Sequence, residues 1–193
     1  MAEVVYLTGA PATGKSTLTR ALKSQIADLQ IFEFGERLTA RLAGSGQVTD
    51  QADLRSQSAR AITLDDVRAV DRELLDFVAT HRATRPVIID SHAVTKESYG
   101  YRVTPYSLKE FEKLGPTQIW VLYTEPQVAL RRIAANAQGR PRITEEEARF
   151  HAQLQASVAI TYGMHLGTAI HFFDSAVPGE QLAAQLVARL SRS

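Results

Sequence analysis

The sequence predicts an α/β protein: a three-layer sandwich whose helices cover both faces of a mostly parallel, five-stranded sheet. Two observations carry this. Short apolar runs rich in β-branched residues recur along the chain, and the segments between them place apolar residues at helical spacing. Strands that alternate with helices in this way form parallel units, with the ligand edge beyond the carboxyl ends of the strands.

In chain order, Val4–Leu7, Ile31–Phe34, Val87–Ile89, Ile119–Tyr123 and Ile170–Phe173 have the near-continuous hydrophobicity of strands buried on both faces. The helical segments are Leu18 to Ile26; Val67, Val70, Leu74, Phe77 and Val78; Phe150, Leu154 and Val158; and Leu182, Leu186 and Leu190. Trp120 falls inside the fourth run and is expected in the core. Two polar excursions, Ala43–Ser58 and Ala135–Glu147, read as mobile flaps above the ligand edge. No repeat, low-complexity tract or Pro/Gly/Ser linker divides the 193 residues, so one domain is expected.

Composition narrows the chemistry. Lys and Arg number 22 against 21 Asp and Glu, so no overall field favours DNA or a membrane surface, and phosphate chemistry must be local. The absence of cysteine excludes disulfides, thiolate nucleophiles and Cys-ligated metal centres. The opening Met-Ala-Glu-Val-Val-Tyr-Leu-Thr-Gly lacks the basic region and cleavage site of a signal peptide, and no apolar run approaches a membrane span. A cytoplasmic location is expected, with small-molecule nucleotide substrates and no feature indicating a protein or RNA partner.

Gly9-Ala10-Pro11-Ala12-Thr13-Gly14-Lys15-Ser16 matches G-x-x-x-x-G-K-[ST], directly after a strand and at the start of a helix. The spacing has a mechanical reason. Gly9 and Gly14 let the backbone curl so that the N–H groups of Ala12, Thr13, Gly14, Lys15, Ser16 and Thr17 turn toward phosphate oxygens at a positive helix end. Lys15 is expected to reach the β- and γ-phosphates of ATP, and Ser16 to offer its hydroxyl to Mg²⁺. A chance match to this P-loop pattern in this setting is rare. Asp90 ends the run Pro86–Asp90, where a metal or metal-water ligand is wanted opposite the loop; the bland alternative is an Asp that caps a turn. His92 either orients an acceptor phosphate or bonds within its own loop.

These motifs, with Phe34-Gly35-Glu36, Asp53-Leu54-Arg55, Ile89-Asp90-Ser91-His92-Ala93-Val94 and an arginine-rich segment beyond, resemble in order the archaeal-type adenylate kinases, over nearly the whole chain. The resemblance implies transfer of the ATP γ-phosphoryl to AMP with Mg²⁺, a monophosphate-binding flap over about 35–60 and a lid over about 135–147. It implies Arg55 on the acceptor phosphate, with Gly35 and Glu36 entering the flap. The family has an arginine midway along the helix after its lid, where this chain reads Gln153-Leu-Gln-Ala-Ser157.

Arg131, Arg132, Arg140, Arg142 and Arg149 lie within one stretch. A lid carrying planar donors stabilises the charge spread over a transferring phosphoryl, and Arg132, Arg140 and Arg142 are the catalytic candidates; Arg131 and Arg149 read rather as partners for Glu145, Glu146 and Glu147. Tyr99-Gly100-Tyr101-Arg102 and Tyr106 form either a packed surface loop or the wall of a base pocket. The loop Asp174–Pro178 is expected near the donor base by fold analogy. Two other functions share the donor site. A kinase for a neutral acceptor needs a carboxylate base such as Asp53 or Glu36, and a slow ATPase or nucleotide-dependent switch would act on a protein or RNA. A GTPase is disfavoured because no Asn-Lys-x-Asp guanine reader occurs.

Overall fold

The computed structural model describes residues 2–190. The chain runs β1 (Val4–Gly9), α1 (Lys15–Gln25), β2 (Gln30–Glu33), α2 (Phe34–Gly44), α3 (Gln51–Ala61), α4 (Leu64–His81), β3 (Val87–Asp90), β4 (Val94–Glu97), β5 (Gly100–Val103), α5 (Leu108–Leu114), β6 (Gln118–Tyr123), α6 (Pro126–Ala135), α7 (Glu145–Leu166), β7 (Ile170–Asp174) and α8 (Gly179–Leu190). The main sheet has five strands in the order β2-β3-β1-β6-β7. Every pairing in it is parallel.

Side-chain alternation divides each strand between two cores. Val4 and Tyr6 join Phe32, Ile89, Ile119 and Val121 under Leu38 of α2, Leu74 of α4, Phe111 of α5 and Tyr162 of α7. Val5 and Leu7 join Ile88, Trp120 and Leu122 against Leu18 and Leu22 of α1 and Leu182 and Leu186 of α8. With both faces of β1, β3 and β6 covered, no polar alternation survives in these three strands, which is why they were legible; the edge strands β2 and β7 are only partly buried. Three helices begin at local capping boxes, Thr63 with Asp66, Ser107 with Glu110 and Thr144 with Glu147, each satisfying N–H groups that a helix start leaves free.

Four details depart from expectation. Phe34 opens α2 instead of ending β2, because β2 stops pairing where Glu33 meets Asp90 of β3. The Ala43–Ser58 excursion contains most of α3, whose first turn is held by Asp50 accepting from the Asp53 N–H at 2.8 Å. That helix has no continuous apolar stripe and so left no periodic signal. The Tyr99–Arg102 segment is part of an antiparallel hairpin, β4 with β5, pinned to α7 by Tyr101 O–H donating to the Glu147 carbonyl at 2.7 Å. Finally, the inward face of α7 centres on His151, Gln155, Ala159 and Tyr162; of the expected Phe150, Leu154 and Val158, Val158 packs at the edge of the core, Leu154 is half-buried and Phe150 is 48% exposed. The helix faces the polar strand ends there, so its buried stripe is polar and small and hydrophobic spacing pointed one residue away.

Candidate active site

β1, β2 and β3 end side by side, placing Gly9, Glu33 and Asp90 at one edge of the sheet. β1 lies between strands reached by connections running in opposite directions, the switch point at which open α/β sheets form a crevice. A cleft of ≈ 680 Å³ opens there.

The loop after β1 forms one end of it. Gly9 approaches β6 so closely that an added Cβ would lie 2.6 Å from the Leu122 carbonyl oxygen. Ala12 sits at φ 64° and Gly14 at φ 85°, so the turn runs through left-handed backbone that a non-glycine residue adopts only under strain. Thr13 steadies the turn, its Oγ1 donating to the Ala10 carbonyl at 2.8 Å. Lys15 donates to the Gly9 carbonyl at 3.2 Å, and its Nζ stands 3.9 Å from Asp90 Oδ1. Burial pushes the Asp90 carboxyl upward and Lys15 pulls it back. Ser16 and Thr17 are exposed at the helix start and line the cleft.

Beneath the loop lies a buried polar chain. Gln155 Nε2 donates to Thr8 Oγ1 at 2.6 Å, Gln155 Oε1 accepts from the Val94 N–H at 3.2 Å, and His151 Nε2 lies 3.1 Å from the Val94 carbonyl. A neutral, fully occupied amide thus stands in the helix stretch where an arginine was looked for. Burial holds the His151 pKa at about 4, aided by the positive Lys15 and Lys96 and opposed by the Val94 bond.

Gly35, Glu36, Arg55, His92 and Arg140 face the same cleft as the loop. Arg55 of α3 donates to the Gln138 carbonyl at 3.1 Å, bringing that helix against the irregular 136–144 segment. Burial, then the charge of Arg140, lowers the Arg55 pKa to about 10, and burial lowers that of Arg140; both remain cations at neutral pH. Arg140 bonds only to oxygens of its own segment, Asn136, Ala137 and Gln138. Among the described residues, no carboxylate pairs with either arginine. His92 has its ring open to the cavity, yet the crowded walls, with Lys15, His151, Arg55 and Arg140, hold it well below the usual imidazole range. It is neutral at pH 7.

The remaining arginines divide. Arg132 spans the loop and the end of β7, donating to the Ala12 carbonyl at 3.1 Å and the Ser175 carbonyl at 2.7 Å. It braces the strained turn, and it brings the Asp174–Pro178 loop alongside. Arg142 is exposed and stands outside the cleft lining. Arg149 pairs with Glu145 at 3.0 Å, and Arg131 is exposed. Asp53 also lies outside the cleft lining; from the first turn of α3 it accepts from the Thr49 N–H at 2.9 Å.

Two cleft carboxylates escaped the sequence reading. Glu33 lies in register with Asp90, and burial, Asp90 and Glu36 together push its pKa upward. Asp71 lies on α4 among Val67, Val70 and Leu74, so a charge on an otherwise apolar stripe was the available signal. Among the described residues, no group of three or more His, Asp and Glu forms a metal cage. Mg²⁺ shared with phosphate oxygens needs no such cage, and the Ser16 hydroxyl and the Asp90 carboxylate fit that lighter role.

A parallel sheet carrying a phosphate loop at its switch point defines a P-loop nucleotide-binding protein. The chain matches the AAA domain family over residues 8–149 and belongs to it. It is 28% identical over 178 residues to the adenylate kinase of Pyrococcus abyssi, covering 91% of this chain and 87% of that one. By structure it resembles the tunicamycin resistance protein of Deinococcus radiodurans (TM-score 0.60, 16% identity, 98% of this chain and 96% of that one). It also resembles a sugar kinase from Janibacter sp. (TM-score 0.57, 16% identity, 99% and 95%). At such identities the structural likenesses speak for the fold alone.

Proposed function

We propose that the chain is a nucleoside monophosphate kinase that transfers the γ-phosphoryl of ATP to AMP. The fold and the phosphate loop make it an ATP-dependent phosphotransferase. The observation that carries it is the pair Arg55 and Arg140. Two cations, from a helix and a segment far apart in sequence, line the same cleft as the phosphate loop, and among the described residues neither is paired with a carboxylate. That is a second anion site opposite the first, and a monophosphate acceptor requires one; a neutral acceptor does not. The adenylate kinase of Pyrococcus abyssi, the relative noted above, supports AMP as the occupant.

In this reading the loop N–H groups and Lys15 hold the β- and γ-phosphates. Ser16 and Asp90 would hold Mg²⁺, directly or through water, and the ion would supply charge neutralisation. Residues 35–60 form the acceptor flap and 135–147 the lid. Arg55 positions the acceptor phosphate, while Arg140 shares the equatorial charge. Arg132 acts one step removed, by keeping Ala12 and hence the loop in shape. The Arg55–Gln138 bond closes flap on lid and excludes water that would otherwise accept the phosphoryl.

The specific observation for a second reading is Glu33. Its raised pKa and its place beside Asp90 suit a base for a hydroxyl acceptor better than Asp53, which faces away, or Glu36, which is exposed.

A coupled ADP-release assay with ATP and Mg²⁺, alone and with AMP, CMP, UMP or GMP, separates the two, with Lys15→Ala as blank. Stimulation by AMP that the blank abolishes is expected. Hydrolysis indifferent to every monophosphate would sink the reading and send the search to hydroxyl acceptors.

A further inference from the structure

The part of the cleft wall built by α2, α4 and the Thr104–Tyr106 turn is mostly apolar, with Phe34, Leu38, Val67 and Tyr106 lining it. α4 adds one charge to that wall, Asp71. Its Oδ1 is buried and has no hydrogen-bond partner among the described residues. The charged and titratable groups that act on it, or feel its charge, are Arg72 on its own helix, Glu110 of α5, Tyr106, and Tyr162 of α7. None of them is recorded in an ion pair or hydrogen bond with it. Burial, and then Glu110, raises its pKa to about 6, so it is ionised at pH 7.5. A buried acceptor without a donor is uncommon in a folded protein and costs stability wherever it occurs. Oδ1 itself is shut off from the cleft, but the residue is only partly buried and lines it, without an ion pair or hydrogen bond among the described residues, so its carboxylate is open to a donor that a ligand brings.

We propose that Asp71 reads the acceptor, its carboxylate accepting a hydrogen bond from an exocyclic amine on the base of the nucleoside monophosphate whose phosphate Arg55 holds. The inference rests on the monophosphate reading above and adds the chemistry of the base. An ionised carboxylate has lone pairs and no proton to give. An amino edge, as on adenine or cytosine, satisfies it. A keto edge in the same place, as on hypoxanthine or uracil, sets lone pairs against a negative charge. Phe34 and Tyr106 supply aromatic faces on the same wall for the ring itself.

AMP and IMP isolate the effect, since they differ at the 6-position by amine against keto and in the proton at N1. Calorimetric binding of each is measured at pH 7.5, with the donor site saturated by a non-hydrolysable ATP analogue and Mg²⁺. Wild type is expected to prefer AMP by about ten- to hundredfold, the worth of a hydrogen bond to a charged group. In Asp71→Asn the amide can donate as well as accept, and the preference is expected to shrink to within about threefold or invert. Asp71→Ala serves as a second variant that also lacks the carboxylate. Equal binding of AMP and IMP by wild type, or an undiminished preference in both variants, overturns the inference. An Asp71-dependent preference without phosphoryl transfer keeps it and sinks the kinase assignment for AMP. Failure of both nucleotides to bind overturns it and leaves the phosphotransferase class standing.

Discussion

Asp71→Asn should gain stability relative to wild type as pH rises toward neutrality. The carboxyl has a folded pKa of about 6 against an ordinary 3.8, because burial and Glu110 disfavour its charge. The sign follows: the folded state binds the proton more tightly than the unfolded state, so stability is lost as pH rises from about 4 through about 6. At about 1.4 kcal/mol per tenfold change the full shift is worth about 3 kcal/mol, and because the carboxyl is only partly buried, solvent screening cuts the loss to about 1–2 kcal/mol, reached above pH 7. The amide does not titrate, so the gap between variant and wild type should widen by that amount between pH 4 and pH 7.5. Its absolute position is shifted by about 1–3 kcal/mol because an amide at the site still lacks partners. Urea unfolding of both proteins at half-unit pH steps, without nucleotide, reads the gap directly. A difference independent of pH would refute the electrostatic reasoning. A gap of opposite slope would mean that Asp71 is stabilised by its surroundings, and the orphaned carboxylate would no longer need a ligand.

Three further outcomes follow from named contacts. Gly139→Ala places a Cβ against the Ala52 carbonyl, 2.9 Å from Ala52 Cα, at φ +76°; flap and lid can then no longer meet as they do here. We expect kcat/KM with AMP to fall by about tenfold or more, since misplacement by an ångström is costly to transfer, with a loss of about 1 kcal/mol or more of stability from the positive φ; wild-type kinetics would show that transfer does not need this contact. Gln155→Leu strips partners from the buried Val94 N–H and Thr8 hydroxyl and should cost about 2–3 kcal/mol, read as a Tm drop of several degrees; an unshifted Tm would remove the network from the account. Arg132→Lys loses the two-pronged grip on Ala12 and Ser175 and should raise the KM for ATP about tenfold while leaving the KM for AMP alone; a selective fall in kcat would instead place Arg132 on the transferring phosphoryl.

Much of this protein is written locally. The central strands were readable because both their faces are buried, and the phosphate loop because its turn demands glycine at set positions and a helix start immediately after. Capping boxes likewise lie within a few residues. What only the tertiary structure decided are the encounters between distant segments. α3 was hidden because its sparse buried contacts leave no periodicity. The inward face of α7 was misread because it meets polar strand ends, where glutamine and histidine pack better than leucine. Arg142 and Asp53 have the right chemistry for the cleft but stand outside its lining, while Glu33 and Asp71 enter it without a motif to announce them. Sequence spacing determines which residues share a face of one helix or strand; which of those faces meet at the carboxyl ends of a parallel sheet is settled by packing across the whole chain.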